Sequence, residues 1–338
     1  MEDSSSGLPA DLLRQVSRSF YLTLRVLPAA IRQQMGLAYL LARTADTIAD
    51  TQVVPAAQRL QALQALRERI LGHSSTPLHL NELARHQGLQ AEWRLLQRIE
   101  ESLALLEQFP SQDRQCIREV LALITSGQEL DLNRFVEASR DRIVALNTDD
   151  ELDDYTYRVA GCVGEFWTKM CRANLFHSAP VDDDFLLANG VRFGKGLQLV
   201  NILRDLPRDL RQGRCYLPGD RLWAIGLTPF DLLEPANGPR LRPLYDAYLT
   251  QAEEHLTAGW LYTNALPRWH ARVRLACAWP LLIGIKTLEK LRAGNALAPE
   301  LHIKVTRAEV RSIVARTLLF QFWPPAWGRL FPRSGGRK

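Results

Sequence analysis

Apolar residues recur every three or four positions along most of the chain, which is the spacing of one face of an α-helix. One stripe covers residues 60–70 and ends at Gly72, and another covers residues 93–106 and stops before Pro110. Alternating apolar and polar positions between tight turns, the pattern typical of strands, are nearly absent. No linker or internal repeat divides the chain. The pattern predicts one all-α domain of roughly ten helices.

The end of the chain differs from the rest. From residue 323 onward it reads WPPAWGRLFPRSGGRK, in which prolines prevent a long helix and aromatic residues stand beside arginines. This combination is typical of a segment at a membrane–water interface, although a frayed terminus packed on the domain fits it as well. We therefore divide the chain into a helical domain, residues 1–322, and an aromatic and basic tail, residues 323–338.

Composition narrows the class of protein. Apolar residues make up 46% of the 338 residues and charged residues 23%, which excludes a disordered or collagen-like chain. The net charge of +5 suits an anionic ligand or a membrane surface, but no concentrated basic stripe indicates a nucleic-acid partner. Five scattered cysteines without a CxxC pair favour a reducing compartment. Because we find neither a secretory signal nor an apolar run of about 20 residues, we expect a cytoplasmic protein that associates peripherally with a membrane.

The segment YLLARTADTIAD, residues 39–50, places four polar side chains on one helical face. Tyr39, Arg43, Asp46 and Asp50 follow one another at steps of four, three and four residues. Two carboxylates one turn apart repel each other unless a cation lies between them, and Mg²⁺, or Mn²⁺ in its place, accepts such ligands. Taken alone, the pair also fits a solvated surface.

A second polar face lies in the segment LQLVNILRDLPRDLRQGRCYLP, residues 197–218. Gln198, Asn201, Asp205 and Asp209 share it on a helix that is otherwise apolar. If the two helices oppose each other, four carboxylates surround one cavity, and the divalent ions that they attract need an anionic ligand such as diphosphate. The arginines that would neutralise a departing diphosphate are Arg43, Arg204 and Arg214.

With these motifs, the sequence resembles the squalene/phytoene synthase family. The resemblance runs in the same order from about residue 10 to about residue 315. It rests on the two aspartate segments above and on SRSFYLTLRVLP at 17–28, YTYRVAGCVGEFW at 155–167, CAWPLLIGIKTL at 277–288 and IKVTRAEV at 303–310. Members of this family have a single-domain all-α isoprenoid synthase fold with a central cavity between helices, and they join two prenyl diphosphates head to head. The resemblance therefore implies the same fold and activity here.

The resemblance also implies roles for individual residues. Asp46, Asp50, Asp205 and Asp209 match the carboxylates that bind Mg²⁺ and diphosphate, and Tyr155 matches a tyrosine of the cavity that abstracts a proton or stabilises a cation. Other residues match positions that contact the substrate: Ser17, Arg18, Ser19, Phe20, Tyr39, Arg43, Gln198, Asn201, Arg204 and Arg214.

The segment VAGCVG, residues 159–164, has two interpretations that do not exclude each other. Val159, Ala160 and Gly161 offer a smooth surface for long prenyl tails, and the apolar surroundings would keep water from a carbocation. Small residues at helical spacing also allow two helices to pack closely.

Two residues of the second aspartate segment depart from the family. Arg208 stands where relatives usually carry an acid, which lowers the local negative charge and predicts a weaker metal site. Pro207 removes a helical hydrogen bond and clashes with the preceding turn, at a cost of about 3 kcal/mol in a helix interior. We therefore expect a kink or a helix end within residues 203–209, with Asp209 placed differently from Asp205.

Within the family, we favour a squalene synthase that joins two farnesyl diphosphates through presqualene diphosphate and then reduces the product with NADPH. A GxGxxG motif is absent, so Lys304 and Arg307 are the candidates for contact with the cofactor phosphate, unless they form surface salt bridges. Non-reducing phytoene, dehydrosqualene or presqualene diphosphate synthases are the alternatives.

Two alternative hypotheses assign the protein a function other than head-to-head condensation. A catalytically inactive helical assembly or lipid-binding protein of the same fold would have lost the aspartates, yet all four are present. A head-to-tail prenyl elongase or terpene cyclase would need DDxxD, and the chain has DTIAD and DLPRD instead.

Overall fold

Helices form nearly all of the regular structure in this computed structural model, which describes residues 10–17, 20–298 and 303–331. The first eight are α1 (Ala10–Val16), α2 (Phe20–Val26), α3 (Ala29–Asp50), α4 (Ala56–Leu71), α5 (Asn81–Arg85), α6 (Gln90–Gln97), α7 (Ile99–Gln108) and α8 (Ser111–Arg134). The next eight are α9 (Asp149–Thr156), α10 (Cys162–Asn174), α11 (Asp183–Arg211), α12 (Gly219–Ala224), α13 (Gly238–Ala265), α14 (Ala271–Ala293), α15 (Arg307–Phe320) and α16 (Pro324–Gly328).

The strands within the described residues are β1 (Val144–Ala145) and β2 (Arg214–Cys215), which pair in parallel. The predicted all-α class is therefore confirmed. The helices outnumber the expected ten because several, such as α5 and α12, are only five or six residues long. Helices of that length are too short to show a hydrophobic period.

The packing divides the chain into two compact units. The first comprises Met1–Val136 and Glu165–Ser178, and the second comprises Glu137–Gly164 and Ala179–Lys338. The expected boundary between residues 322 and 323 stays a prediction.

In the first unit, α3 is the central helix. It packs against α4, α7 and α8, and its apolar face is fully enclosed at Leu37, Leu40, Leu41 and Ile48. Burial of a leucine or isoleucine side chain contributes roughly 1.5–3 kcal/mol, so this face fixes the rotation of α3 about its axis. The opposite, polar face of the helix is thereby held in one orientation.

In the second unit, α11 packs along α13 and against the segment that follows α9. That segment, Tyr157–Gly161, is a π-helix, in which one turn is widened by an extra residue. Backbones approach closely here: a Cβ added to Gly194 would lie 2.1 Å from the Ala160 carbonyl oxygen. A Cβ added to Gly164 would lie 1.9 Å from the Gly190 carbonyl oxygen. The small residues of VAGCVG therefore serve close helix packing.

Of the kink or helix end predicted within residues 203–209, the helix end is wrong, because α11 continues through Pro207 to Arg211, and the kink stays a prediction. Proline cannot donate a hydrogen bond to the carbonyl four residues earlier, which belongs to Leu203. The buried Tyr245 hydroxyl of α13 donates to that carbonyl at 2.9 Å instead. The substitute donor removes one of the two costs of an internal proline and keeps Asp205 and Asp209 on the same helix.

This arrangement predicts that Tyr245→Phe leaves the buried Leu203 carbonyl unsatisfied and lowers the free energy of unfolding by about 1–3 kcal/mol. In a Pro207→Ala background, the restored backbone N–H donates to the Leu203 carbonyl. The same Tyr245→Phe substitution should then lower the free energy of unfolding clearly less. Urea unfolding of the two single variants and the double variant measures the coupling. If Tyr245→Phe lowers the free energy of unfolding equally in both backgrounds, the Tyr245 hydroxyl does not replace the missing backbone donor.

Candidate active site

Helix α3 carries the first polar face. Arg43 reaches Asp46 with Nη1 and Oδ2 4.0 Å apart, and its Nη2 donates to Glu92 of α6 at 2.6 Å. Glu92 was not anticipated from the sequence, because it lies on a separate short helix. The pair holds the guanidinium beside the carboxylates rather than extended into solvent.

The position of Asp46 and Asp50 along α3 is electrostatically unfavourable. Asp50 is the final residue of α3, Asp46 lies one turn before it, and the last turn has no basic residue. The carbonyl end of a helix carries a partial negative charge, which repels carboxylates. Burial, reinforced by the charge of Asp50 and opposed by Arg43, raises the pKa of Asp46 to about 7. The Asp46 side chain is only partly buried, with 38% of its surface open to solvent, so an ion can reach its carboxylate.

Gln128 of α8 holds Asp46 from the neighbouring helix. Its side-chain amide donates to Asp46 Oδ1 at 2.5 Å. The sequence does hold a signal for this residue, since Gln128 continues the apolar stripe of Ile117, Leu121 and Ile124 at a position where another apolar residue would fit. A polar residue at such a position needs a partner, and here the partner is the carboxylate.

The N-terminal motif reaches the same face of α3. The Phe20 ring stacks on Tyr39 with centroids 5.2 Å apart, and the Tyr39 hydroxyl donates to the Val16 carbonyl at 3.4 Å. The buried Ser17 hydroxyl donates to the Leu13 carbonyl at 2.5 Å, so in this structure it caps α1. Arg18 and Ser19, which were also predicted to contact the substrate, lie outside the described residues.

Helix α11 carries the second polar face, and its acids are paired differently. Arg204 donates two hydrogen bonds to Asp205, at 2.7 and 2.9 Å. Near the start of the face, the Asn201 amide donates to Gln198 Oε1 at 3.4 Å. This face therefore presents two amides and an ion pair before Asp209 is reached.

Arg208 lies between the two acids of α11. Its Nη2 is 3.7 Å from Asp205 Oδ2 and 3.3 Å from Asp209 Oδ1. Burial raises the pKa of Asp209 to about 7, although Arg208 and Arg214 oppose the rise. On α11, a cation supplied by the chain thus lies within 4 Å of both carboxylates. This charge arrangement agrees with the weaker metal site predicted for the second motif.

Strand β2 carries Arg214, and the residue that follows this strand contacts Tyr155. Gly213 precedes Arg214 with a φ of +81°, and a Cβ there would lie 2.4 Å from backbone atoms of Ser139, so only glycine fits. Tyr216, just after β2, stacks on Tyr155 with centroids 4.8 Å apart. Arg214 is therefore held by the strand pairing, and Tyr155 packs on Tyr216 two residues further along the same segment.

The widened π-turn begins two residues after Tyr155. Val159 is half-buried and Gly161 is buried against α11, where a Cβ would meet Lys195 and Val191 at 3.3 Å. π-Bulges occur frequently at functional sites. Here the bulge changes the direction in which Val159 and Ala160 point relative to Tyr155.

Lys304 and Arg307 are exposed at the start of α15. Neither side chain forms an ion pair with a residue that the structure describes, so the predicted surface salt bridges are not seen there. The nearby Glu309 is instead paired with Lys290 at 2.7 Å, and the Lys304 backbone carbonyl accepts from Lys290 at 3.0 Å.

The donor sets are suited to magnesium diphosphate rather than to a closed metal site. Among the described residues, no three His, Cys, Asp or Glu side chains come together as a metal cluster. Mg²⁺ is commonly held by one or two carboxylates, with water and phosphate oxygens completing its shell, and the pair on α3 supplies such carboxylates. Across residues 10–17, 20–298 and 303–331, no helix combines the length and apolar character required to cross a membrane.

Comparison with known proteins assigns the chain to a protein family. The family model described as squalene/phytoene synthase matches residues 13–309, and the chain belongs to this family. Its members are prenyltransferases that join prenyl diphosphates head to head. The predicted family and enzyme class are therefore confirmed.

Individual relatives differ in their products. The presqualene diphosphate synthase of Zymomonas mobilis is 30% identical over 259 residues, which cover 76% of this chain and 75% of the relative. The bifunctional lycopene cyclase/phytoene synthase of Colletotrichum graminicola is 29% identical over 249 residues, which are 72% of this chain and 39% of that longer protein. A solved complex of TcSQS with the ligand E5700 has a TM-score of 0.73 at 20% identity and covers 96% of this chain and 91% of its own. This likeness confirms the isoprenoid synthase fold.

The raised pKa of Asp46 predicts that the stability of the protein depends on pH. Its pKa of about 7 in the folded state exceeds the value of about 3.9 in the unfolded state, so its stabilising contribution is complete below about pH 4 and is lost as the pH rises through 7. Asp46→Asn keeps an acceptor for Gln128 but cannot ionise. In metal-free buffer, the melting temperature of the variant should therefore rise relative to wild type between pH 5 and pH 8. A difference that does not change with pH would contradict the assignment.

Proposed function

We propose that this protein joins two molecules of farnesyl diphosphate head to head, with presqualene diphosphate as the first product. The carboxylate pair of Asp46 and Asp50 carries the proposal, because its position at the carbonyl end of α3 is unfavourable until a cation binds there. The presqualene diphosphate synthase of Zymomonas mobilis, at 30% identity, supports the choice of substrate and first product.

In this proposal, Asp46 and Asp50 on α3 and Asp205 and Asp209 on α11 are the carboxylates that would hold Mg²⁺ with diphosphate. The chemistry that the ion would supply is positive charge against the departing diphosphate. Gln128 fixes the rotamer of Asp46, and Glu92 keeps Arg43 directed toward the same face. Arg204 and Arg214 contribute further positive charge for the leaving group.

The aromatic pairs would stabilise the carbocation left by ionisation. Phe20 and Tyr39 present stacked rings beside the α3 face, and Tyr155 and Tyr216 present stacked rings beside Arg214. The negative face of an aromatic ring attracts a cation, and such rings also exclude water that would quench it. We assign Tyr155 the removal of the proton that is lost when the cyclopropane ring of presqualene diphosphate closes.

We also propose the reductive second step to squalene, with NADPH as the hydride donor. Lys304 and Arg307 support it as exposed basic side chains at the start of α15, suited to a cofactor phosphate. A non-reducing activity that yields presqualene diphosphate, dehydrosqualene or phytoene is the alternative, and the products of the family's members support it equally.

We further propose that the enzyme works in the cytoplasm at the periphery of a membrane. Its substrates carry long apolar tails, and the hydrocarbon products would partition into a bilayer.

Product analysis tests the proposed reaction. The purified protein is incubated with farnesyl diphosphate and Mg²⁺, with and without NADPH, and with geranylgeranyl diphosphate in parallel, and the extracts are separated by gas chromatography–mass spectrometry after dephosphorylation. Presqualene diphosphate without NADPH and squalene with it are the expected products. Presqualene diphosphate or dehydrosqualene in both reactions would remove the reductive step. Phytoene from geranylgeranyl diphosphate alone would overturn the choice of substrate.

The metal-binding roles predict that Asp46→Asn and Asp205→Asn each lower the turnover rate at least about 100-fold, because each removes charge that opposes the leaving diphosphate. Asp184→Asn, an exposed substitution in the first turn of α11, is the matched control and should retain the wild-type rate. Circular dichroism of all three variants reports whether the helices persist. A wild-type rate in either of the first two variants would refute the role of that residue.

A further inference from the structure

The part of the second unit built from the end of α13, the start of α14, and α15 with α16 exposes an unusual amount of apolar surface. Trp269 is 72% exposed, Phe322 is 80% exposed and Trp323 is 63% exposed. We call this set the aromatic face, and its members are Leu261, Trp269, Leu318, Leu319, Phe322 and Trp323.

The aromatic face is held rigidly by a buried cluster beneath it. Trp327 stacks on Trp260 with centroids 5.3 Å apart, and its indole N–H donates to Asn264 Oδ1 at 2.8 Å. Phe331 stacks on the same Trp260 at 5.4 Å, and the Arg274 guanidinium lies 4.9 Å from the Trp327 ring. These contacts fix α16 to the junction between α13 and α14, where Trp269 is located.

Helix α15 is fixed to the same region. The Trp279 indole N–H of α14 donates to the buried Thr317 hydroxyl at 2.9 Å. Leu318 and Leu319 follow Thr317 directly, and Trp323 lies one helical turn before the buried Trp327. Each exposed member therefore lies within a few residues of a buried anchor, so its backbone is held in place by packed structure.

The segments that form this surface are rich in arginine, and Glu289 and Glu309, which line a pocket with Arg316 and Leu330, are each paired with a lysine. The sequence has no Asp or Glu between residues 255 and 288, and none from residue 310 to the end. None of the exposed arginines in these stretches forms an ion pair with a residue that the structure describes; they are Arg268, Arg272, Arg311, Arg316 and Arg329.

We propose that the aromatic face docks on a lipid bilayer that contains anionic headgroups. Exposed tryptophan and phenylalanine side chains beside arginines match the interfacial region, where the rings enter the acyl boundary and the cations meet lipid phosphates. A second copy of the chain is the less suitable partner, because a two-fold interface would bring together two surfaces that both carry these exposed arginines, and like charges repel.

The proposal rests on the peripheral membrane contact proposed above and changes its location. The sequence pattern assigned that contact to the tail from residue 323 onward. Within the described part of the tail, Trp327 and Phe331 are buried in the cluster and cannot enter a membrane. Residues before the tail, Leu319 and Trp269 among them, supply much of the apolar contact instead. Deleting the tail would expose Trp260, so point substitutions are the better test.

Vesicle sedimentation of the full-length protein tests the proposal. The vesicles are phosphatidylcholine alone, or phosphatidylcholine with about one quarter phosphatidylglycerol. The variants are Phe322→Ser with Trp323→Ser, and Arg268→Gln with Arg329→Gln. Trp223→Ser is the matched control, since Trp223 is 68% exposed on α12 of the same unit and outside the aromatic face.

Wild type and the control should bind the anionic vesicles, and both double variants should bind at least about ten-fold more weakly. Raising the ionic strength from about 0.05 M to about 0.5 M should weaken wild-type binding, because salt screens the arginines. Wild-type protein that stays in the supernatant, or double variants that bind as tightly as wild type, would overturn the proposal.

Two further readouts separate the possible failures. Light scattering reports the oligomeric state. If the wild-type protein is a dimer and the Phe322→Ser, Trp323→Ser variant is a monomer, the aromatic face binds a second copy instead. Turnover of detergent-solubilised farnesyl diphosphate reports the proposed reaction independently of membranes. If the wild-type protein is active but does not bind vesicles, the docking surface alone is refuted. If the wild-type protein shows no turnover, the proposed function is refuted.

Discussion

The repulsion between two carboxylates at the carbonyl end of α3 is the constraint on which the proposed activity depends. Asp46 and Asp50 lie one turn apart where the helix itself is partially negative, and the last turn has no basic residue. Burial strengthens the penalty and raises the pKa of Asp46 to about 7. Gln128 and Arg43 moderate the charge of Asp46. In the proposed activity, a divalent cation bound with diphosphate would offset this penalty.

On α11, the second aspartate helix, arginines offset the repulsion between the two carboxylates. Arg204 forms a two-fold hydrogen-bonded pair with Asp205, and Arg208 lies between Asp205 and Asp209. Because these pairs offset part of the repulsion, α11 needs a cation less than α3 does. The two helices are therefore expected to contribute unequally, with tighter ion binding at Asp46 than at Asp209. The helix nevertheless presents both acids, since the Tyr245 hydroxyl takes the place of the donor that Pro207 lacks.

The spacing of residues was sufficient to predict the all-α class and the two polar faces, because helical periodicity is a local property of the sequence. The end of α11 was predicted wrongly, because the partner that makes Pro207 tolerable is Tyr245, 38 residues further along the chain. Glu92 and Gln128 were missed for the same reason, since their roles depend on contacts between helices. Ser17 was predicted to face the substrate, and the structure shows its hydroxyl bonded to Leu13. The roles assigned to the site residues stay predictions.

The central claim is that a divalent cation joins the carboxylates of α3 to a prenyl diphosphate. Calorimetric titration with farnesyl thiodiphosphate, an analogue that ionises very slowly, tests it without turnover. The account predicts binding in the presence of Mg²⁺, its loss with a chelator, and at least a ten-fold weaker affinity in Asp50→Asn, a change of about 1.4 kcal/mol in binding free energy. Equal affinity with and without Mg²⁺ would contradict it, because the aspartates would then oppose the diphosphate instead of holding it.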